Sequence, residues 1–145
     1  MYAPGLGYYA AGTAKFGSAG DFITAPEIGS LFGRCIASQV AEIFEQLGRG
    51  ALLEAGPGSG RLLADVLDGL ADTGSLPESV LLLEPSPDLK ARQQALLASR
   101  LGDNAIRCTW VADLPHDWTG WVLANEVVDS LPVPRFEVDS GQPLH

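Results

Sequence analysis

Cysteine, lysine and long apolar runs are all scarce in this 145-residue chain, and each scarcity removes a class of function. The two cysteines, Cys35 and Cys108, lie far apart and match no metal-ligand or C-x-x-C spacing, so they are expected to be buried free thiols of a reducing compartment. Lys and Arg together number 9 against 18 Asp and Glu, a net charge of −9, which argues against a nucleic-acid or anionic-membrane surface. No run of about 18 apolar residues reads as a membrane span. No charged stretch followed by an apolar one reads as a signal peptide. The lysine-poor, Ala-, Gly- and Leu-rich composition points to a bacterial, cytoplasmic protein. What remains is 46% hydrophobic and 19% charged, enough to bury a core in one domain over residues 1–145.

Residues 1–19 are rich in Gly, Ala and Tyr without periodicity and read as loop. Thr24-Ala25-Pro26-Glu27 has the form of a capping box with Pro in the first turn. Beyond it Phe32, Ile36, Val40, Ile43, Phe44 and Leu47 share one helical face, and Gly48 ends the helix. Residues 1–50 therefore form a loop and helix ahead of an α/β core over 51–145. That core opens with "ALLEAGPGSGRLLADVLDGL", an apolar strand, a glycine turn and a helix with Leu62, Leu63, Val66, Leu67 and Leu70 inward. "SVLLLEPSPDLKARQQALLASRLG" repeats the plan, with Ser86 as N-cap and Pro87 at the first helical position. "AIRCTW" and "GWVLANEV" supply a third and a fourth strand, and "RFEVD" begins a fifth. Apolar strands alternating with helices predict a parallel sheet with helices on both faces.

The turn Glu54-Ala55-Gly56-Pro57-Gly58-Ser59-Gly60 lies where parallel sheets bind nucleotides, at the carboxyl edge. Its glycines permit a sharp turn and close approach of a ligand. A dinucleotide fingerprint places its third glycine where Arg61 stands, which disfavours an NAD-dependent oxidoreductase. The spacing G-x-G-x-G after an acid instead resembles motif I of class I S-adenosyl-L-methionine (SAM) methyltransferases. SAM carries a sulfonium and an ammonium, so an acid beside the turn suits it. Glu84, at the end of the second strand, stands where an acid chelates ribose hydroxyls. Asp113 is a candidate acceptor for the adenine amino group. A plain tight turn, a solvated strand end and a loop acid are the competing structural readings of these positions.

After the fourth strand, "LANEVVDSLP" brings Asn125, Glu126 and Asp129 to the same edge. Methyl transfer is an in-line displacement governed by positioning of the acceptor. Two carboxylates, Glu126 and Asp129, can hold a guanidinium through paired hydrogen bonds, and the Asn125 amide can hold cofactor or substrate. A polar turn in which Asp129 caps the next element is the alternative.

Taken together, "GYY" at Gly7–Tyr9, "GDFITAPEIGSLFG" at Gly20–Gly33, "LLEAGPGSGRLLADVL" at Leu52–Leu67, "LLLEPSPDLKARQ" at Leu81–Gln93, Trp110 and "LANEVVDSLPVPRF" at Leu123–Phe136 resemble the MidA-like methyltransferases. That family includes the mitochondrial complex I assembly arginine methyltransferase. The resemblance implies a Rossmann-like class I SAM-dependent methyltransferase fold, here a truncated form, with SAM as cofactor. It assigns Glu54, Gly56, Pro57, Gly58, Gly60, Glu84 and Asp113 to the cofactor, and Asn125, Glu126 and Asp129 to catalysis. Asp21, Phe22, Thr24 and Glu27 become a lid over the pocket. The implied acceptor is a protein arginine, in the mitochondrial member one on a complex I subunit, and a eukaryotic member would be mitochondrial. Val127 and Val128 stand where larger aromatics are usual, and Ser130 where alanine is usual, which bears on the acceptor pocket. A non-catalytic SAM-binding assembly module is the alternative, and an exposed sheet edge offers a route to oligomers.

Overall fold

The computed structural model describes residues 24–48, 50–131, 137–139 and 142–144. Helix α1 spans Ala25–Ile28 and α2 spans Leu31–Leu47. Strand β1 (Ala51–Ala55) leads through α3 (Arg61–Asp72) to β2 (Ser79–Leu83), and β2 leads through α4 (Pro87–Leu101) to β3 (Cys108–Val111). Strand β4 (Gly120–Leu123) completes a four-stranded sheet of order β3-β2-β1-β4. Every pairing in it is parallel, with Leu53 opposite both Leu81 and Val122. Strands β5 (Glu137–Asp139) and β6 (Gln142–Leu144) form a separate antiparallel pair, so the fifth strand read from "RFEVD" joins a hairpin.

Side chains alternate across a strand, so residues in register share a face. Leu52, Val80, Leu82 and Leu123 belong to one buried cluster with Val40 and Phe44 of α2, Leu63, Val66 and Leu70 of α3, and Leu97 of α4. All five apolar positions expected to face inward on α3 are buried. Two close approaches bring α2 onto α3: a Cβ at Gly33 would lie 2.4 Å from the Cβ of Asp65, and one at Gly69 would lie 2.7 Å from that of Ala37. Arg100 of α4 reaches back to α3, donating to buried Asp65 at 2.7 Å and pairing with Asp68. On the opposite face, exposure rises outward from Leu53 at 1% to Val122 at 53%. None of the described helices is long and apolar enough to cross a membrane.

Four expectations are corrected. The capping box does not form: Thr24 is extended and makes no side-chain cap, and the Glu27 carboxylate turns toward Ser59. The helical segment is also divided, because extended Gly29 separates α1 from α2, consistent with the poor helix propensity of glycine. Cys35 is exposed on the outer side of α2, whereas Cys108 is half-buried, with burial pushing its thiol up to about 11. The segment read as the start of the third strand is a 3-10 turn over Gly102–Arg107, and the strand itself begins at Cys108. By contrast Ser86 caps α4 as its sequence suggests, accepting from the Leu89 N–H at 3.4 Å.

Candidate functional site

Strands β2 and β3 lie on one side of β1 and β4 lies on the other. The chain therefore changes direction between β1 and β4, and such a switch opens a crevice beyond the carboxyl ends of the strands. A cavity of about 690 Å³ occupies that position. Glu54 and Gly56–Ser59 line it from β1, Glu84 from the end of β2 and Ala112 from the end of β3. Asn125, Glu126, Val127 and Asp129 line it from the end of β4, and Thr24, Pro26 and Glu27 close it from α1. The structure thus gathers most of the sequence-nominated residues around one space. Gly60 stands behind the wall as the residue preceding α3, and Asp113 is exposed beside cavity-lining Ala112. Asp21 and Phe22 lie outside the described residues.

The turn after β1 holds its shape through backbone bonds. The Gly56 N–H donates to the Leu83 carbonyl at 3.0 Å and the Gly60 N–H to the Pro57 carbonyl at 2.7 Å. Gly56 and Gly60 adopt φ of 61° and 82°, a region that L side chains rarely enter. Space enforces the same choice: a Cβ at Gly56 would lie 3.0 Å from the Val127 side chain, and one at Gly60 3.1 Å from Cγ of Gln93. Val127, where the resembled family usually carries a larger aromatic, thus packs close against the turn at Gly56.

Two acids of the wall differ in environment. Glu54 is 2% exposed, and its Oε2 has no hydrogen-bond partner among the described residues. Burial first, then the neighbouring charge of Glu84, pushes its carboxyl up to about 8. A buried carboxylate with an unsatisfied oxygen is costly, so this group either stays protonated or meets a cation in the cavity. Glu84 has its carboxylate plane fixed: Oε1 accepts from the Ser86 N–H at 2.9 Å and Oε2 from Nε2 of Gln93 at 3.0 Å.

Glu27 connects the roof to the turn. Ser59 Oγ donates to its Oε1 at 2.5 Å, and Arg61 Nη1 lies 3.8 Å from its Oε2. No local pattern in the sequence announces these contacts, since Ser59 already stands 32 positions from Glu27 and Arg61 farther still. On the opposite wall Glu126 is exposed and has φ of 51°, uncommon for a residue with a long side chain. Strain of this kind persists where surrounding structure enforces it, often at functional sites.

The chain is similar to proteins of one family. Residues 35–145 match a family described as "Putative S-adenosyl-L-methionine-dependent methyltransferase". The chain is 32% identical over 157 residues to the mitochondrial protein arginine methyltransferase NDUFAF7 homolog of Caenorhabditis elegans, and 33% identical over 160 residues to the mitochondrial protein arginine methyltransferase NDUFAF7 of Bos taurus. Each alignment covers 92% of this chain but only 37% and 36% of those relatives, so the chain spans under two-fifths of their length. Among solved structures, a superfamily member from Burkholderia thailandensis bound to S-adenosyl-homocysteine superposes with a TM-score of 0.84 at 34% identity, covering 99% of this chain and 41% of that one.

Proposed function

The chain belongs to the MidA-like family of SAM-dependent methyltransferases, and from that premise we propose that its cavity binds SAM and serves transfer of a methyl group to an arginine of a protein. The observation that carries the reading is the buried Glu54 carboxyl, whose Oε2 has no partner among the described residues, beside a glycine turn of positive φ. The residues present fit the cofactor. Glu54 supplies negative charge for a cationic ligand, Glu84 offers a fixed carboxylate to ribose hydroxyls, and the turn from Gly56 to Gly58 gives close backbone approach. When bound, SAM supplies an electrophilic methyl on a sulfonium.

Asn125, Glu126 and Asp129 stand on the β4 side of the same cavity, where the acceptor would enter. The Glu126 and Asp129 carboxylates would hold a guanidinium in orientation through charge-assisted hydrogen bonds, and the Asn125 amide would hold cofactor or substrate. One carboxylate would take the proton released as the N–C bond forms and the methyl–sulfur bond breaks, with S-adenosyl-homocysteine as the leaving group. An arginine acceptor is supported by the names of the curated relatives, and the family resemblance read from the sequence makes an arginine of a complex I subunit the first protein substrate to try. Asp113 remains the proposed acceptor for the adenine amino group, one residue beyond the cavity wall.

Calorimetric titration of the full chain with SAM, S-adenosyl-homocysteine and NADH tests the cofactor reading. Saturable binding of the first two and none of NADH is expected, and the reverse pattern would overturn it. Labelled SAM with a protein substrate pool then separates an enzyme from a binding module, since a binding module leaves no labelled band. Glu27→Ala should weaken S-adenosyl-homocysteine binding about threefold, while losing the part-buried Ser59 hydrogen bond to an ionised group, at a cost of about 1.5–3 kcal/mol in stability. Unchanged affinity by the same titration would reduce the α1 contact to a local brace.

A further inference from the structure

Helix α4 turns a stripe of Leu89, Gln93, Leu97 and Leu101 toward the core. Three members are leucine and the fourth is an amide at 0% exposure. An apolar side chain of similar volume would fill that place without burying polar atoms, which cost free energy unless they are bonded. The Gln93 amide is bonded on both ends. Its Nε2 donates to the Gly58 carbonyl at 2.8 Å and to Glu84 Oε2 at 3.0 Å, while its Oε1 accepts from Trp110 Nε1 at 2.8 Å. The indole N–H only donates, and a carbonyl and a carboxylate only accept, so the amide has one chemically consistent orientation. Trp110 therefore fixes which end of Gln93 faces the cavity wall.

These three partners belong to the ends of β1, β2 and β3, which are neighbours in the sheet. One side chain thus ties the glycine turn, the acid after β2 and the third strand into a single geometry. Gly60 makes room for it, since a Cβ there would meet Cγ of Gln93 at 3.1 Å. The third glycine of the turn is needed as much for this side chain as for its own backbone angle.

We propose that Gln93 is a positioning residue of the cofactor site, holding the Glu84 carboxylate at the angle required by the ribose hydroxyls, with Trp110 setting the amide. The inference rests on the SAM reading given above. It acts through Glu84 and the Gly58 carbonyl, so its removal should penalise a ligand in proportion to the hydroxyls that ligand offers.

The test compares S-adenosyl-homocysteine with its 2′-deoxy analogue by calorimetry on the full chain, in wild type, Gln93→Met and Trp110→Phe. Methionine keeps the volume and removes all three bonds. Gln93→Met should weaken S-adenosyl-homocysteine about tenfold, the scale on which supporting partners act, and the deoxy analogue by about threefold or less. Trp110→Phe should show the same preference at smaller size, about threefold against no change; it carries the test if Gln93→Met does not fold. Equal penalties for both ligands would make Gln93 a packing residue and overturn the proposal, as would unchanged affinity in a folded variant. Failure of the wild type to bind S-adenosyl-homocysteine would remove the cofactor reading and this inference with it. Wild-type binding with indifferent variants removes this inference alone.

Discussion

Glu84→Ala is expected to weaken S-adenosyl-homocysteine binding by about a hundredfold while leaving a folded protein. The carboxylate stands at the cavity wall just beyond β2, and its plane is fixed by the Ser86 N–H on one oxygen and Gln93 on the other. A fixed acceptor loses little freedom when a ligand arrives, so more of each bond appears as affinity. Hydrogen bonds to an ionised group are worth about 1.5–3 kcal/mol each, and two such bonds to vicinal hydroxyls, taken at the lower end of that range, account for about two orders of magnitude. The substitution also leaves the Gln93 donor short of a partner, at a cost of about 1–3 kcal/mol in stability. A thermal melt beside the titration separates the two effects. Glu84→Gln, which keeps one acceptor oxygen, should fall between wild type and alanine. Undiminished affinity in a folded Glu84→Ala would remove this residue from the site.

The second large effect is a pH dependence carried by Glu54. Its carboxyl is raised from 4.5 to about 8, first by burial and then by the charge of Glu84. In the unfolded chain the group loses its proton near the ordinary value, whereas the folded chain keeps it. Between about 4.5 and 8 the folded state therefore binds more protons, and stability must fall as pH rises. The contribution is complete below 4.5 and is lost as pH climbs through the folded value. Each pH unit of that window corresponds to at most about 1.4 kcal/mol, so the whole effect amounts to a few kcal/mol. Glu54→Gln has no charge to bury. It should melt close to wild type at pH 4.5 and well above it at pH 8, with the gap widening steadily between. A gap that stays constant with pH would show that Glu54 is ionised in the folded chain. A bound cation shifts the same balance, because it favours the carboxylate. Binding of SAM near pH 7 should accordingly release up to one proton, read as a dependence of calorimetric heat on buffer ionisation enthalpy.

The elements legible in the sequence were those with strong local signals. The apolar runs of β1 and β2, the glycine turn and the 3.6-residue period of α3 each state their structure within a few positions. Ser86 and Pro87 did the same for the start of α4. Misreadings arose where a distant partner outbid a local one. Thr24 and Glu27 have capping-box spacing, but the Glu27 carboxylate is taken by Ser59, 32 positions away. Gln93 passed as one of several polar residues in "KARQQALLASRLG"; only its spacing of four from Leu89 and from Leu97 marked it as inward. Cys35 reads as apolar by residue type, yet its helical position faces outward. Around the cavity, Glu54, Gly56, Pro57, Gly58, Glu84, Asn125, Glu126 and Asp129 could be nominated because strand ends in a parallel sheet converge. The bonds that orient them depend on α4 and β3, and no local pattern announces those.

The strand order carries a consequence for how the molecule assembles. Strands β1, β2 and β3 are neighbours both in sequence and in the sheet, and each junction is bridged by one helix. Strand β4 must instead return to pair Gly120 with Ala51 at the far side of β1. Pairing Gly120 with Ala51 joins residues much farther apart in sequence than pairing Ala51 with Ser79 or Val80 with Cys108. Such non-local pairing costs more chain entropy, so β4 should dock after the others and open before them. Amide exchange should find the β4 amides less protected than those of β1 and β2. The wall assigned to the cofactor is thus built early and locally, while Asn125, Glu126 and Asp129 arrive with the last strand. The proposed acceptor side becomes the part of the pocket that depends on the least protected strand, so local opening of β4 would disturb it before the proposed cofactor wall.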